Sequence, residues 1–511
     1  MKRETRLPAD EIGHAHDEGL GEQRRVSADE ATCAGHKPAD DQMKGHVIRG
    51  IIQVGLASVF MRGGGLIAQI VSGYILTQGD FGLFAITLGF STFSVATLSA
   101  LRPLFIERIT KGEEPDRLWR LILYLMIGIA AFMIVGSNLI AGSDSRMPSL
   151  LIAIAPTLPL QFSMVIGIGR LAADLRFGES SKILTISSMS RHSALIVFAL
   201  LGFGAYSLVL PLYVETLVEG TMLWRATGRP HHCSARSAAS WVSMDAPSWL
   251  MLAAVALGFS LSGDYVAISP FETKEVVGLY FFGYSLSAAL TAPFTMAATN
   301  VLVPSFASVK SPDRLRSSYL DAVSLLLLVT GMAFGGLALV GGTIVDFIWS
   351  GTWNDAIVAM VLISAGTPFR ILQPTCYSLL QAKGLWSTQS LLASFNAVFA
   401  VGGAIIGAMI GGLLEISLMV GIAGGLVGTT VAVIAGTKIG IKPAATAASL
   451  VRGATPPVAG AIAAYALYPV FLPPLGGSII RAVVFCVVSV PLTFVLFQHT
   501  IRSTITSARS R

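Results

Sequence analysis

Charge is scarce in this chain: Asp, Glu, Lys and Arg make up 13% of its 511 residues, about half the share found in an ordinary soluble domain. With 53% of the residues hydrophobic, that scarcity excludes a soluble globular protein and points to a polytopic membrane protein. Cysteine is nearly missing as well. Cys33, Cys233, Cys376 and Cys486 are scattered, two of them inside apolar runs, so the chain has neither a disulfide framework nor a zinc spacing. His231-His232-Cys233 falls between Arg229 and Arg236 on a polar loop and reads as solvated rather than metal-binding. No metal or cofactor is expected. There is no P-loop, which argues against a self-contained ATP-driven pump. Residues 1–46 have no apolar core run and are rich in Asp, Glu, His and Lys; they read as a disordered cytoplasmic tail, not as a cleavable signal. Long polar loops are missing too. This counts against a membrane-bound polymerase or transferase, which needs a sizeable exposed catalytic loop, and the chain is not expected to be an enzyme.

What is present is a series of apolar windows, each about 20 residues long, the length needed to cross a bilayer as a helix. They fall near 51–76, 83–101, 118–141, 148–169, 182–203, 206–225 and 241–263, and then near 276–303, 320–349, 355–381, 388–413, 415–439, 455–474 and 477–500. The expected fold is all-α, with about fourteen transmembrane helices. Loop charge orients them. With the N-terminus inside, the inner loops collect Arg102, Arg108, Lys111, Arg170, Arg176, Arg225, Arg229, Arg314, Arg316, Lys438 and Lys442. The outer segments hold Arg146 and Lys274 against Asp80, Asp144, Asp264, Glu272, Glu275, Asp355 and Glu415. Positive residues on the cytoplasmic side place both termini there. The net charge of +6 then reflects topology, and a nucleic-acid partner has little support. Trp119, Trp224, Trp241, Trp349, Trp353 and Trp386 fall at predicted helix ends, where an indole prefers the headgroup zone.

The chain repeats itself. Asp80-Phe81-Gly82-Leu83-Phe84 is echoed by Glu275-Val276-Val277-Gly278-Leu279-Tyr280, and Arg102-Pro103-Leu104-Phe105 by Val303-Pro304-Ser305-Phe306. A weaker echo links Ala155-Pro156-Thr157-Leu158-Pro159 to Ala365-Gly366-Thr367-Pro368. Each copy holds an even number of helices, so the two enter the membrane in the same orientation, a parallel repeat of the kind transporters use. The expected organisation is a first six-helix bundle over 47–240, a second over 241–440, and an extra C-terminal helix pair with a short tail over 441–511. Prolines inside predicted helices, Pro156, Pro211, Pro293, Pro368, Pro374 and Pro491 among them, free backbone carbonyls and permit kinks.

Arg62 lies deep in its apolar run, Arg191 sits in the polar patch Ser190-Arg191-His192-Ser193, and Arg370 stands between Pro368 and Pro374. A guanidinium at such depth is costly and marks a site by default. The three are read as substrate-binding residues lining a wet cationic cavity, since their planar fork of donors suits phosphate oxygens; the bland reading is ion pairs that lock helices. Glu215 and Glu219, four apart on one helix face, are the candidate ion-coupling residues and the partners in that bland reading. Arg481, near the outer end of its helix, is expected to snorkel to the interface. Asp264, near a helix end, is expected to be solvated.

Arg62-Gly63, Gln69 and Tyr74-Ile75-Leu76-Thr77-Gln78-Gly79-Asp80-Phe81-Gly82-Leu83-Phe84 resemble the opening of bacterial polysaccharide transport proteins. Val277-Gly278-Leu279-Tyr280, Leu302-Val303-Pro304-Ser305-Phe306 and Ile348-Trp349-Ser350-Gly351-Thr352-Trp353-Asn354-Asp355-Ala356 extend the likeness. That family holds the flippases of lipid-linked O-antigen, capsule and exopolysaccharide units, within the superfamily of multidrug exporters and the lipid II flippase. The resemblance implies two six-helix bundles in a V, a central cationic cavity and a bacterial inner-membrane location. It also implies movement of undecaprenyl-diphosphate-linked oligosaccharide units to the periplasmic leaflet by alternating access. Expected partners are the anionic lipid-linked oligosaccharide, membrane lipids, a coupling Na+ or H+, and other polysaccharide-assembly membrane proteins. By similarity, the extra helix pair contributes a groove for the polyprenyl tail. The nearest rival reading is a multidrug or metabolite exporter of the same architecture.

Overall fold

The computed structural model describes residues 60–92, 116–140, 146–174, 176–228, 245–309, 311–468 and 475–509. The N-terminal tail, the Arg102–Phe105 copy of the second echo, the His231–Cys233 loop and the prolines 469, 473 and 474 lie outside those residues. Sixteen helical segments are described: α1 (60–75), α2 (78–92), α3 (Asp116–Ile140), α4 (Arg146–Ile154), α5 (Thr157–Ala173), α6 (Phe177–Leu200) and α7 (Tyr206–Thr227) in the first half. The second half has α8 (Asp245–Ile268), α9 (Lys274–Ser308), α10 (Pro312–Trp349), α11 (Ala356–Arg370), α12 (Leu372–Ala382), α13 (Trp386–Ile410) and α14 (Leu413–Lys438), followed by α15 (Pro443–Leu467) and α16 (Leu475–Arg509). There are no strands among the described residues, as the apolar composition requires: in hydrocarbon only a helix or a closed barrel satisfies its own backbone. Six helical spans among the described residues are long and apolar enough to cross a membrane by length and composition, including Gly178–Leu200, Pro312–Trp349 and Leu475–Gln498.

One helical run breaks within the first copy of the weak echo, and another breaks three residues after the second copy. Pro156 has no N–H to continue the ladder, and Thr157 Oγ1 donates to the Ile154 carbonyl at 2.6 Å to recover one acceptor. The second break is at Ile371, with Pro374 in the first turn of the helix that follows, a position where a missing N–H costs little. The stronger echo also has a structural basis, because both copies open a helix on threonine. Thr77 Oγ1 accepts from the Asp80 backbone N–H at 3.2 Å, and the Thr77 hydroxyl and N–H both donate to the Asp80 carboxylate. Thr273 Oγ1 accepts from the Val276 N–H at 3.4 Å. Both are N-caps.

Small residues set the packing of the second half. Gly403 and Gly407 lie against α14, and Gly421 and Gly428 against α11, so the helices approach backbone to backbone, the arrangement favoured where lipid provides no hydrophobic drive. The final pair, α15 and α16, packs on α10. Ser489 Oγ donates to the Pro456 carbonyl at 3.0 Å and Tyr465 OH to the Ala338 carbonyl at 3.2 Å. Arg481 does not snorkel. It is fully buried, its Nε donates to the Tyr468 carbonyl at 2.9 Å, Nη2 donates to the same oxygen, and the guanidinium lies over the Tyr465 ring. The cause is local: α15 ends at Leu467, and a helix end leaves carbonyls that need donors.

Candidate functional site

α1 has two distinct faces. Phe60, Ile67 and Tyr74, seven residues apart in sequence, are each about 60% exposed and form a stripe suited to lipid. Arg62 and Gln69, offset by two residues, lie on the opposite side. From that side Arg62 Nη1 donates to the Ala289 carbonyl of α9 at 3.4 Å, and Gln69 Nε2 donates to Ser285 Oγ at 2.6 Å. Arg62 therefore faces the second half of the chain. Depth in an apolar run was enough to single it out; the partner was not legible.

Nearer the end of the bundle that loop charge assigns to the outside, the same helix is tied to α10 and the turn after it. Trp349 Nε1 donates to the Ile70 carbonyl at 3.1 Å and Trp353 Nε1 to the Gly73 carbonyl at 2.8 Å. Gln78 Nε2 donates to the Thr352 carbonyl at 2.9 Å. The Trp349 indole lies on Gly73, where any side chain would overlap it. Trp349 and Trp353 were expected in the headgroup zone; they are at helix ends but buried, and carbonyls in the last two turns of α1 accept their N–H groups. Trp353 stacks on Phe282, with ring centroids 3.9 Å apart. Trp224 and Trp386, in contrast, are exposed.

The repeated motifs meet each other at this end. A Cβ on Gly82 would overlap the Lys274 carbonyl oxygen and crowd the Gly278 nitrogen, and a Cβ on Gly278 would overlap the Gln78 carbonyl oxygen and crowd the Gly82 nitrogen. The contact is reciprocal. Gly82 and Gly278 occupy the same position in the two copies, 196 residues apart, so the first helix pair of one half and that of the other touch through equivalent glycines.

Arg191 and Glu215 are brought together: Arg191 Nη1 donates to Glu215 Oε2 at 3.4 Å, joining α6 to α7, with the two side chains 37% and 23% exposed. Glu219 lies one turn further along α7 and is partly buried. The polar patch divides between neighbours, because His192 rests on Gly64 and Gly65 of α1, two and three residues beyond Arg62. Arg370 ends α11. Its Nη2 donates to Tyr284 OH at 3.3 Å and its methylene stem crosses Gly424 of α14.

One residue escaped the sequence reading. Asp264, expected to be solvated, is 6% exposed; Tyr280 OH donates to Oδ2 at 2.7 Å and the Tyr265 N–H to Oδ1 at 3.0 Å. Tyr265 and Tyr284 meet edge to face, at 5.9 Å between centroids. The end of α8 is roofed by aromatic side chains of α9, and periodicity within α8 carries no trace of that roof. α9 is thus the common platform: Tyr280 serves Asp264, Tyr284 serves Arg370, Ser285 serves Gln69 and Ala289 serves Arg62. Among the described residues no group of His, Cys, Asp and Glu could hold a metal ion.

Comparison with solved structures agrees with this architecture. A lipid II flippase MurJ in an inward closed conformation is similar over 88% of this chain and all of its own, at 14% identity and a TM-score of 0.66. An inward-facing multidrug resistance MATE transporter of the MOP superfamily is similar over 74% of this chain and 94% of its own, at 14% identity and a TM-score of 0.57. A MOP superfamily transporter from Pyrococcus furiosus Vc1 covers 76% and 95%, at 14% identity and a TM-score of 0.53. No curated protein sequence matches the chain significantly. At such identity the likeness shows the fold alone, a multi-pass all-helical membrane architecture. The family model for polysaccharide biosynthesis proteins matches residues 74–358, more than half of the chain, and the protein belongs to that family.

Proposed function

We propose that the protein is an alternating-access flippase carrying undecaprenyl-diphosphate-linked oligosaccharide units from the cytoplasmic to the periplasmic leaflet of the inner membrane. The observation that carries the reading is Arg62, which lies well inside the apolar run 51–76, on the side of α1 away from the lipid-facing stripe and directed at α9. A diphosphate and its sugars cannot enter hydrocarbon unaided, because each unsatisfied polar group costs several kcal/mol. A polar passage between the halves replaces their hydration while the polyprenyl tail stays among lipids. Arg62, with Arg370 and Arg191, supplies donors matched to phosphate. The contacts at Gly82 and Gly278, with the Trp349 and Trp353 bonds to α1, are then a closed periplasmic side. An inside-negative potential favours outward movement of the anionic headgroup by roughly 2.3 kcal/mol per charge per 100 mV, scaled by the fraction of the field crossed.

For ion coupling, Glu215 is the weaker candidate, since Arg191 already neutralises it at 3.4 Å. Asp264 is the stronger one: among the described groups it is a deeply buried carboxylate held by a tyrosine hydroxyl rather than by a direct ion pair, and a buried carboxylate so placed responds to a proton or sodium ion.

The test is transport of a fluorescent undecaprenyl-diphosphate-linked saccharide in proteoliposomes by the wild type, Arg62→Ala and Asp264→Asn. Transport by the wild type and loss in Arg62→Ala are expected. Equal rates for these two remove Arg62 as the binding residue, and efflux of cationic amphiphiles in place of the glycolipid favours the exporter reading.

A further inference from the structure

In an α-helix the carbonyl of residue 289 is the partner of the N–H of residue 293. Residue 293 is proline, which has no N–H, yet α9 runs on from Lys274 to Ser308. The Ala289 carbonyl is therefore left over within the helix, and it is the one that Arg62 reaches across from α1. Seven residues along, Gln69 holds Ser285, one turn before Ala289. The two helices run antiparallel and are joined by two rungs: one between neutral side chains, the other between a cation and the carbonyl that a proline set free.

We propose that this leftover carbonyl is a holding partner for Arg62, and that an anionic diphosphate headgroup displaces it, so that substrate binding itself unfastens α1 from α9. The inference rests on Arg62 being the substrate-binding residue. Pro293 is then a positioning residue, acting through the carbonyl it frees. A neutral carbonyl at 3.4 Å engages one of the five guanidinium N–H groups at the long end of hydrogen-bond range. A diphosphate offers charged oxygens in the geometry the fork prefers. The holding bond is strong enough to satisfy an otherwise unpaired carbonyl in a low-dielectric interior and weak enough to exchange. Once Arg62 turns to phosphate, the Ala289 carbonyl requires another donor, and water supplies it only when the helices part. Headgroup binding and separation of α1 from α9 are thereby linked, and linkage is reciprocal: whatever loosens the contact beforehand raises headgroup affinity.

Pro293→Ala tests this without touching Arg62, because it restores the N–H and gives the Ala289 carbonyl a partner within its own helix. Spin labels at Leu201 and Phe271, both exposed and on the outer-end turns of the two halves, report separation in nanodiscs, with farnesyl diphosphate as probe and inorganic diphosphate as the lipid-free comparison. In the wild type, farnesyl diphosphate is expected to lengthen the label distance. In Pro293→Ala the longer distance is expected without probe, with affinity raised roughly three- to tenfold, and Arg62→Ala is expected to lose probe binding. Pro293→Ser restores the same N–H and serves if the alanine variant does not reach the membrane. Wild-type distances and wild-type affinity in the Pro293 variants overturn the switch while leaving Arg62 as binding residue if Arg62→Ala still loses the probe. Unaltered probe binding by Arg62→Ala overturns the binding assignment itself. Equal responses to inorganic diphosphate identify the headgroup alone as the trigger; a response confined to farnesyl diphosphate makes the lipid part of it.

Discussion

Arg62 and Arg481 are both guanidiniums in apolar helices, and each donates to a backbone carbonyl that its own helix cannot satisfy. The surroundings differ. Arg481 is fully buried, gives two N–H groups to the Tyr468 carbonyl and is covered by the Tyr465 ring. Arg62 is partly buried and reaches Ala289 at 3.4 Å. The difference separates fastening from availability. The first arginine closes the junction of α15 and α16, and the second is held by a bond that an anion can outcompete. A deep cation in a membrane helix is thus a question about its carbonyl, and the quality of that bond gives the answer.

The sharpest way to break the comparison is to remove each cation. Arg62→Ala is expected to lower glycolipid transport roughly 100-fold, since charge-assisted hydrogen bonds contribute about 1.5–3 kcal/mol each, while thermal stability in detergent falls less than in Arg481→Leu, because Ala289 is only partly buried and its carbonyl takes up water once α1 lets go. Retained transport contradicts the assignment. Next in size are Gly82→Ala and Gly278→Ala. Each places a methyl group on a carbonyl oxygen of the other half, and overpacking costs about 1–3 kcal/mol, enough to weaken this contact by roughly five- to 150-fold. Labelling of a cysteine placed at Ile70, under Trp349, by a membrane-impermeant maleimide added from outside should rise, and unchanged labelling would show that these helices do not part there.

Arg481→Leu should behave in the opposite way to Arg62→Ala. It is expected to lose about 2 kcal/mol of stability, because the buried Tyr468 carbonyl loses its donors, with farnesyl diphosphate affinity unchanged; a selective loss of affinity would make the two arginines equivalent. The smallest effect concerns the outer turn. Burial and the neighbouring Glu415 hold the Glu272 carboxyl above the usual carboxylate range. A raised acid binds its proton more tightly in the folded state, so its contribution is complete at low pH and is lost as pH rises past that range. Glu272→Gln should then melt slightly higher than wild type at neutral pH and equally at acid pH. A gap that persists in acid excludes the carboxylate pair as its cause.

The chain's all-helical, membrane-spanning character was legible from run length, charge scarcity and loop sign, because hydrocarbon imposes those patterns on any sequence that crosses it. Arg62 was legible for the same reason. Its partner was not, although Pro293 stood in plain view among the intramembrane prolines: a proline announces a freed carbonyl, but nothing in sequence says which helix will face it. Asp264 was misread because distance to a helix end is a measure along one helix, whereas Tyr280 covers it from another. Trp349 and Trp353 were placed correctly along the helix axis and wrongly around it, since the preference of indole for the interface is outweighed by two carbonyls of α1 within reach.

Gly82 and Gly278 occupy matching places in two echoing motifs and press on one another. Neither side carries a side chain there, so the backbones of the two helices set the spacing of the seam by themselves. A bulkier residue on one side has to be answered by a retreat of the facing backbone, so the two positions act as a single spacer.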